Sequence, residues 1–161
     1  MLKRKNILAD VVYDPEPQTI EHTGLRALYD YWDGRRSGGG LPGRQDLDPL
    51  DIPALLPHLM LIDVVAPESL RFRLVGTALV GRWGRDTTGL SAEHGYPGGD
   101  WEQILSDYRY VIGERRPCLR HNAVSDSQGN RHAHQRLVLP LARDGKSVDM
   151  ILAAAFWFDA G

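Results

Sequence analysis

The sequence predicts one α+β domain, a five-stranded antiparallel sheet with helices to one side. Three observations predict it. The chain of 161 residues suits a single domain. Five short runs carry strand signals, and turn chemistry joins them as hairpins. Two segments instead place apolar residues at helical spacing. The composition, 42% hydrophobic and 25% charged, is that of an ordinary globular protein.

The N-terminus, "MLKRKNILADVV", is basic and then briefly apolar. Asn6 and Asp10 break the apolar part, so it does not read as a secretory signal. A helix follows over 23–36, where Leu25, Leu28, Tyr29 and Trp32 fall at i, i+3, i+4, i+7. Arg35 and Arg36 suit its C-terminal end, and Gly38–Gly40 stop it. This stripe has two readings: it packs on its own domain, or it is the seam of a homodimer. Next comes "LPGRQDLDPLDIPALLPH", three aspartates among four prolines. A calcium loop would need Gly two residues after Asp48, and Leu50 stands there. Asp48 reads instead as a helix N-cap with Pro49 at the first helical position and Asp51 in the first turn. Asp51 is the alternative cap. Either helix is short, because Pro57 ends it.

"HLMLIDVV" (58–65) and "LRFRLVG" (70–76) read as a hairpin across the turn "APES" (66–69). In the second strand Leu70, Phe72 and Leu74 alternate with Arg71, Arg73 and Val75. Asp63 on the first is expected to pair with Arg71 or Arg73 across the strands. "TALVGRWG" (77–84) and "DWEQILSDYRYVIGERR" (100–116) read as helices, the second with a stripe of Trp101, Ile104, Leu105, Tyr108 and Ile112. "EHGYPGG" (93–99) is a loop between them. Three strands close the chain: 118–124, 134–141 and 148–158. The turns "SDSQGN" (125–130) and "ARDGKS" (142–147) connect them.

Charge and composition exclude several functions. A formal charge of −2 and a pI near 6.3 leave no field to hold nucleic acid or an anionic membrane. Cys118 is the only cysteine, so no disulfide forms within the chain. No run approaches about 20 apolar residues, so no membrane span is expected. These readings together imply a cytoplasmic protein.

Motifs for catalysis are missing. "GRDTTGLS" (84–91) nearly spells a phosphate-binding loop, but Leu90 stands where the lysine belongs and Asp86 would repel a phosphate. It reads as a glycine-terminated turn linking two short helices. Cys118 and His121 fall on opposite faces of a strand and cannot form a thiolate pair. No nucleophile elbow is present. The chain therefore does not read as an enzyme. His132 and His134 share a strand face, and His121 on the preceding strand could oppose them as a metal or haem site. Arg136 continues that face and could meet a carboxylate ligand, although such a residue more often faces water.

The run "LYDYWDGRR…GLPGRQDLDPLDIPALLPHLMLIDVV", then "LRFRLVGTALVGRWGRDTTG", then "LVLPLARDGKSVDMIL", resembles the small single-domain PAS-like family common in alphaproteobacteria. The likeness spans roughly residues 24–153. It implies one PAS-like domain, with an N-terminal segment and flanking helix over 1–40 and a core over 41–158. It implies strand order 2-1-5-4-3 and helices on one face. It also implies a sensory or regulatory role: a small molecule held between helices and sheet, a change passed to a protein partner, and dimerisation through the flanking helix. No Asn-Cys-Arg flavin motif is present, so a flavin photosensor is not expected, and no cofactor is named. Periodicity offers Met60, Phe72, Trp83, Tyr108, Ile112, His134, Met150 and Trp157 as the cavity lining. Two alternatives stand beside this reading. One is a ligand-free interaction module. The other is a metal- or haem-binding protein using His121, His132 and His134.

Overall fold

The structure is a computed structural model that describes the backbone over residues 5–66, 68–96, 101–125 and 131–160. Side chains are described over 10–66, 68–96, 101–122 and 132–158. Apart from Ser125, the turn expected at 125–130 lies outside the described residues. So do position 67 of the 66–69 turn and positions 97–99 of the 93–99 loop.

In chain order the elements are β1 (Lys5–Tyr13), α1 (Thr23–Gly34), β2 (Leu59–Ala66), β3 (Ser69–Val75), α2 (Thr77–Trp83), α3 (Ala92–Gly95), α4 (Trp101–Glu114), β4 (Cys118–Ser125), β5 (Arg131–Leu141) and β6 (Met150–Ala160). The described strands form one antiparallel sheet, order β1-β4-β5-β6-β2-β3. This corrects the expected count of five strands to six, while the five expected strands keep the order 2-1-5-4-3 among themselves, β3-β2-β6-β5-β4. The N-terminal segment supplies the added strand. β1 lies along β4, Asp10 opposite His121 and Tyr13 opposite Cys118. The open edge of β4 offers unpaired backbone groups, and β1 satisfies them. α2 and α3 are the two short helices expected on either side of the 84–91 turn.

Helices cover both faces of the sheet, not one. Alternation along β2 shows why: Leu59 and Leu61 face one side, Met60 and Ile62 the other. On the first side α1 packs Leu25, Leu28 and Trp32 against Leu137, Leu139 and Leu152. On the second, α2, α3 and α4 pack Leu79, Ala92, Tyr108 and Val111 against Phe72, Val138 and Ile151. Leu25, Leu28 and Trp32 are fully buried and Tyr29 nearly so. The stripe offered as a dimer seam is therefore occupied within the chain. A stripe of aromatic and aliphatic residues has the same spacing whether it meets its own sheet or a second copy.

β3 departs from strict alternation. A bulge opposite Leu61 and Ile62 leaves Arg73 out of the Cα register and changes the parity of the strand. Leu74 is consequently 43% exposed and Val75 is buried, the reverse of the expected pattern. Arg73, not Arg71, pairs with Asp63, Nε lying 2.9 and 3.0 Å from the two carboxylate oxygens. The "GRDTTGLS" segment is a turn that closes the free edge of β3. The Phe72 amide donates to the Leu90 carbonyl (3.0 Å), and the Gly89 amide donates to the Phe72 carbonyl (2.8 Å). Gly84 and Gly89 both take positive φ, 80° and 89°.

The proline-aspartate stretch folds as short 3-10 turns. Asp48 caps Pro49–Asp51, its Oδ1 accepting from the Leu50 amide at 3.0 Å. Asp51 is instead a tether, its Oδ2 accepting from the Tyr31 hydroxyl (2.8 Å) and the Arg35 guanidinium (2.7 Å) on α1.

Candidate ligand-binding site

The site lies between α4 and the sheet face that carries alternate residues of β4 and β5. On β4 these residues are Cys118, Arg120 and Asn122, and on β5 His134, Arg136 and Val138. The register sets Arg120 opposite Arg136 and Asn122 opposite His134. Two buried guanidiniums side by side need a counter-charge, and α4 brings Asp107. The Asp107 carboxylate is wholly buried and accepts from Arg120 Nη2 (2.6 Å), Arg120 Nε (3.0 Å) and Arg136 Nη2 (3.0 Å). Fork-like pairing of this kind fixes the guanidinium planes. One carboxylate does not neutralise two guanidiniums, so these three residues keep one positive charge in excess.

Beside this cluster is a cavity of about 110 Å³. Met60, Trp83, Tyr96, Ile104, Ala155 and Trp157 form its apolar walls, and Gln103, Asn122, His134 and Arg136 bring polar groups. Tyr96 stands at the centre of an aromatic group, its ring centroid 5.6 Å from Trp83, 5.1 Å from Phe72 and 6.3 Å from Trp101. Its hydroxyl is hydrogen-bonded to that of Tyr108, and burial pushes both phenols above their ordinary range. His134 stacks on Trp157 with centroids 5.3 Å apart, and Arg82 covers that indole at 5.0 Å. Burial first, then the charges of Arg136, Arg82 and His121, push the His134 imidazole down to about 4, so it is neutral at physiological pH. Burial likewise pushes the Cys118 thiol up to about 12, which makes it a core residue and not a nucleophile.

Two polar atoms on the residues lining this cavity are buried without a partner. Arg136 Nε has no acceptor and Asn122 Oδ1 has no donor. Asn122 Nδ2 already lies 3.2 Å from Gln103 Oε1 and 3.4 Å from His134 Nε2. Buried polar atoms are almost always paired, so an unpaired donor and acceptor on two residues of one cavity wall stand out.

Of the residues expected to line a cavity, Met60, Trp83, His134 and Trp157 do so. Phe72 and Tyr108 are buried behind its wall, and Ile112 is half-buried against the same core. Met150 is on the opposite face, packed on the α1 side, because it shares its parity with Leu152 rather than with Ile151. Sequence reasoning missed Asp107, Asn122 and Tyr96. Asp107 had a signal: it completes the i, i+3, i+4, i+7 series of Ile104, Tyr108 and Val111, a carboxylate placed on an apolar face.

The three histidines do not converge. His132 and His134 share the parity of Arg136, whereas His121 shares that of Leu119 and faces the α1 side. His121 Nδ1 lies 3.3 Å from Gln135 Nε2 there. Among the described residues no group of three His, Cys, Asp or Glu could hold a metal ion. The sheet itself separates the proposed ligands.

A larger groove of about 520 Å³ opens on the α1 face, where Leu47, Ile52, Pro53 and Leu56 of the proline stretch face Leu61 and Leu74. Two of its polar neighbours are already engaged: Tyr31 with Asp51, and Arg44 Nη1 with the Leu47 carbonyl at 3.0 Å. Specific sites combine apolar walls with a few placed polar groups. Among the described residues lining these two cavities, those with a buried polar atom still unpaired belong to the smaller one.

A family profile described as PAS domain matches residues 20–155. Among solved structures, the Rhodobacter sphaeroides LOV protein aligns at 16% identity and TM-score 0.47, covering 67% of this chain and 64% of that one. An RNA-binding Light-Oxygen-Voltage receptor aligns at 15% and 0.48, covering 74% and 35%. A variant of the fungal photoreceptor VVD aligns at 13% and 0.46, covering 80% and 92%. The chain thus spans less than two thirds of the first two proteins. A search of curated proteins found no match.

Proposed function

The chain belongs to the PAS domain family, and from that premise we propose that it is a sensory module that binds a small molecule and signals through a protein partner. The observation that carries this reading is the cavity at Arg136 and Asn122, where a donor and an acceptor are buried without partners. Such atoms are expensive to leave unmade, and a ligand that pairs them recovers that cost. The cavity touches α2, α4 and four strands of the sheet, so a guest that fills it links the helical layer to the sheet. Among the described residues no helix is long and apolar enough to cross a membrane.

The test is native mass spectrometry of the purified chain, joined to a melting-temperature screen against small molecules. A retained guest, or a saturable rise in Tm, is the expected result. A chain that carries nothing and responds to nothing is a pure interaction module instead.

A further inference from the structure

We propose that the start of α1 is an acid-released latch: a proton on His22 removes the helix cap and frees the first turn from Phe156. Such a latch acts on the α1 face of the sheet, opposite the α4 side, and does not depend on a ligand.

The first observation is the cap itself. Nδ1 of His22 accepts from the Gly24 and Leu25 amides at 3.1 and 3.2 Å. The usual capping side chains, Asp, Asn, Ser and Thr, accept such bonds throughout the neutral range. An imidazole accepts only while that nitrogen carries no proton. Once protonated, Nδ1 is a donor aimed at two donors. Its positive charge also lies at the positive end of the helix macrodipole. Both effects open the cap in acid.

The second observation is the packing around the ring. Its centroid lies 4.1 Å from that of Phe156 and 5.4 Å from that of Phe158, both on β6. His58, which ends the 3-10 turn Leu56–His58, stacks on Phe156 with centroids 4.1 Å apart. Gly24 closes over the same phenyl: a Cβ there would stand 2.9 Å from Phe156 Cζ. Cap, first turn and Phe156 are therefore one packed unit, and loss of the cap loosens the cover over Phe156. β6 meets His22 with phenyl rings, and the turn before β2 brings His58, whose charge opposes a proton on His22. Glu21 and Arg26 flank His22 along the chain, and Arg26 pairs with Asp30 at 3.2 Å. Farther across this face Gln135, opposite Phe156, contacts His121. Burial, then His58, lowers the His22 pKa from its ordinary 6.5. The open form thus takes up the proton first, and closure weakens as pH falls below 6.5. The third observation limits the movement. Leu28 and Trp32 are fully buried, and the Trp32 indole donates to the Pro140 carbonyl, so the body of α1 stays on the sheet.

The experiment is NMR on the full chain from about pH 8 to about pH 5, the range in which a histidine changes charge. Amide exchange, corrected for intrinsic rates, reads the protection of Gly24 and Leu25. The shift of the His22 Cε1 proton reads the ring titration. Protection of both amides is expected to fall about tenfold or more in step with the ring, the combined effect of a lost cap and an opposed dipole. The Leu28 and Trp32 amides should keep theirs. H22N supplies a cap that does not titrate, and its Gly24 and Leu25 amides should stay protected across the range. H58Q removes the neighbouring charge and should move the His22 titration to higher pH.

Flat protection at Gly24 and Leu25 while the His22 ring titrates overturns the latch, and that measurement needs no substitution. So does a folded H22N whose two amides lose protection at the pH where the parent does. A fall shared by Leu28 and Trp32 is general unfolding and overturns it too. An unmoved His22 titration in H58Q overturns the part given to His58.

Discussion

Asp107 is the residue on which the site depends. Its carboxylate is fully buried and pairs with two guanidiniums that are themselves nearly buried. Removing one partner of such a cluster leaves charge uncompensated in a poorly solvated place. Asp107→Ala is therefore expected to cost about 3–5 kcal/mol, read as a fall in the urea midpoint. His134 titrates in the opposite sense to a paired histidine. Burial lowers its folded pKa to about 4 from an ordinary 6.5, so the unfolded chain takes up the proton first. Its contribution to stability is complete above pH 6.5 and is lost as pH falls toward 4. At 1.36 kcal/mol per unit, that loss amounts to about 3 kcal/mol. His134→Gln should flatten this segment of the stability–pH curve, which thermal melts at successive pH values would show. The histidine pair and Arg136 were legible as one strand face, since parity alone groups them. Their burial was not, because parity does not say which face a helix covers.

At the level of elements, the helices and strands follow local patterns closely. α1 and α4 start and end near their periodic stripes, and all five expected strands form. The misses have local causes. β1 carries Ile7, Val11 and Tyr13 at alternate positions, a strand signal masked by Asn6 and Asp10, which made the run read as a broken apolar segment, and β4 offers it an edge. The cap of α1 is His22, whose Nδ1 accepts from the Gly24 and Leu25 amides at 3.1 and 3.2 Å. Histidine is not among the favoured N-caps, so composition gave no sign of it. Burial and the nearby His58 lower its pKa, which preserves the unprotonated nitrogen that the cap requires. Two element-level outcomes are expected. Asp48→Ala removes the 3-10 cap and should cost about 1 kcal/mol, with ligand binding unchanged by calorimetry. Gly76→Ala should cost more, about 2–3 kcal/mol. A Cβ at Gly76 would stand 2.3 Å from the Pro57 carbonyl oxygen and 2.5 Å from that of Leu56, both backbone atoms that cannot rotate away. A melting temperature near that of the parent for Gly76→Ala would show that the β3–α2 junction can shift.

For the whole molecule, the decisive feature is a sheet covered on both sides. Trp32 is fully buried, and its Nε1 donates to the Pro140 carbonyl at 2.8 Å. Trp32→Ala should cost about 3–5 kcal/mol. Light scattering on the chain that remains folded should give the size of the parent. A change of assembly state with stability intact would instead restore the helix as a seam. By itself the sequence determined the class of fold, five of the strands and the two longer helices, because these follow from side-chain periodicity and turn chemistry, which are local; the family came from the resemblance of its motifs. It also brought His134 and Arg136 onto one face. Only the tertiary structure decided that α1 covers the face opposite α4, that His121 is separated from the other histidines, and that Asp107 answers two arginines from separate strands. Those outcomes depend on which surfaces meet across the sheet. A one-residue change of parity, as at the β3 bulge, is enough to reverse them, and no local pattern records it.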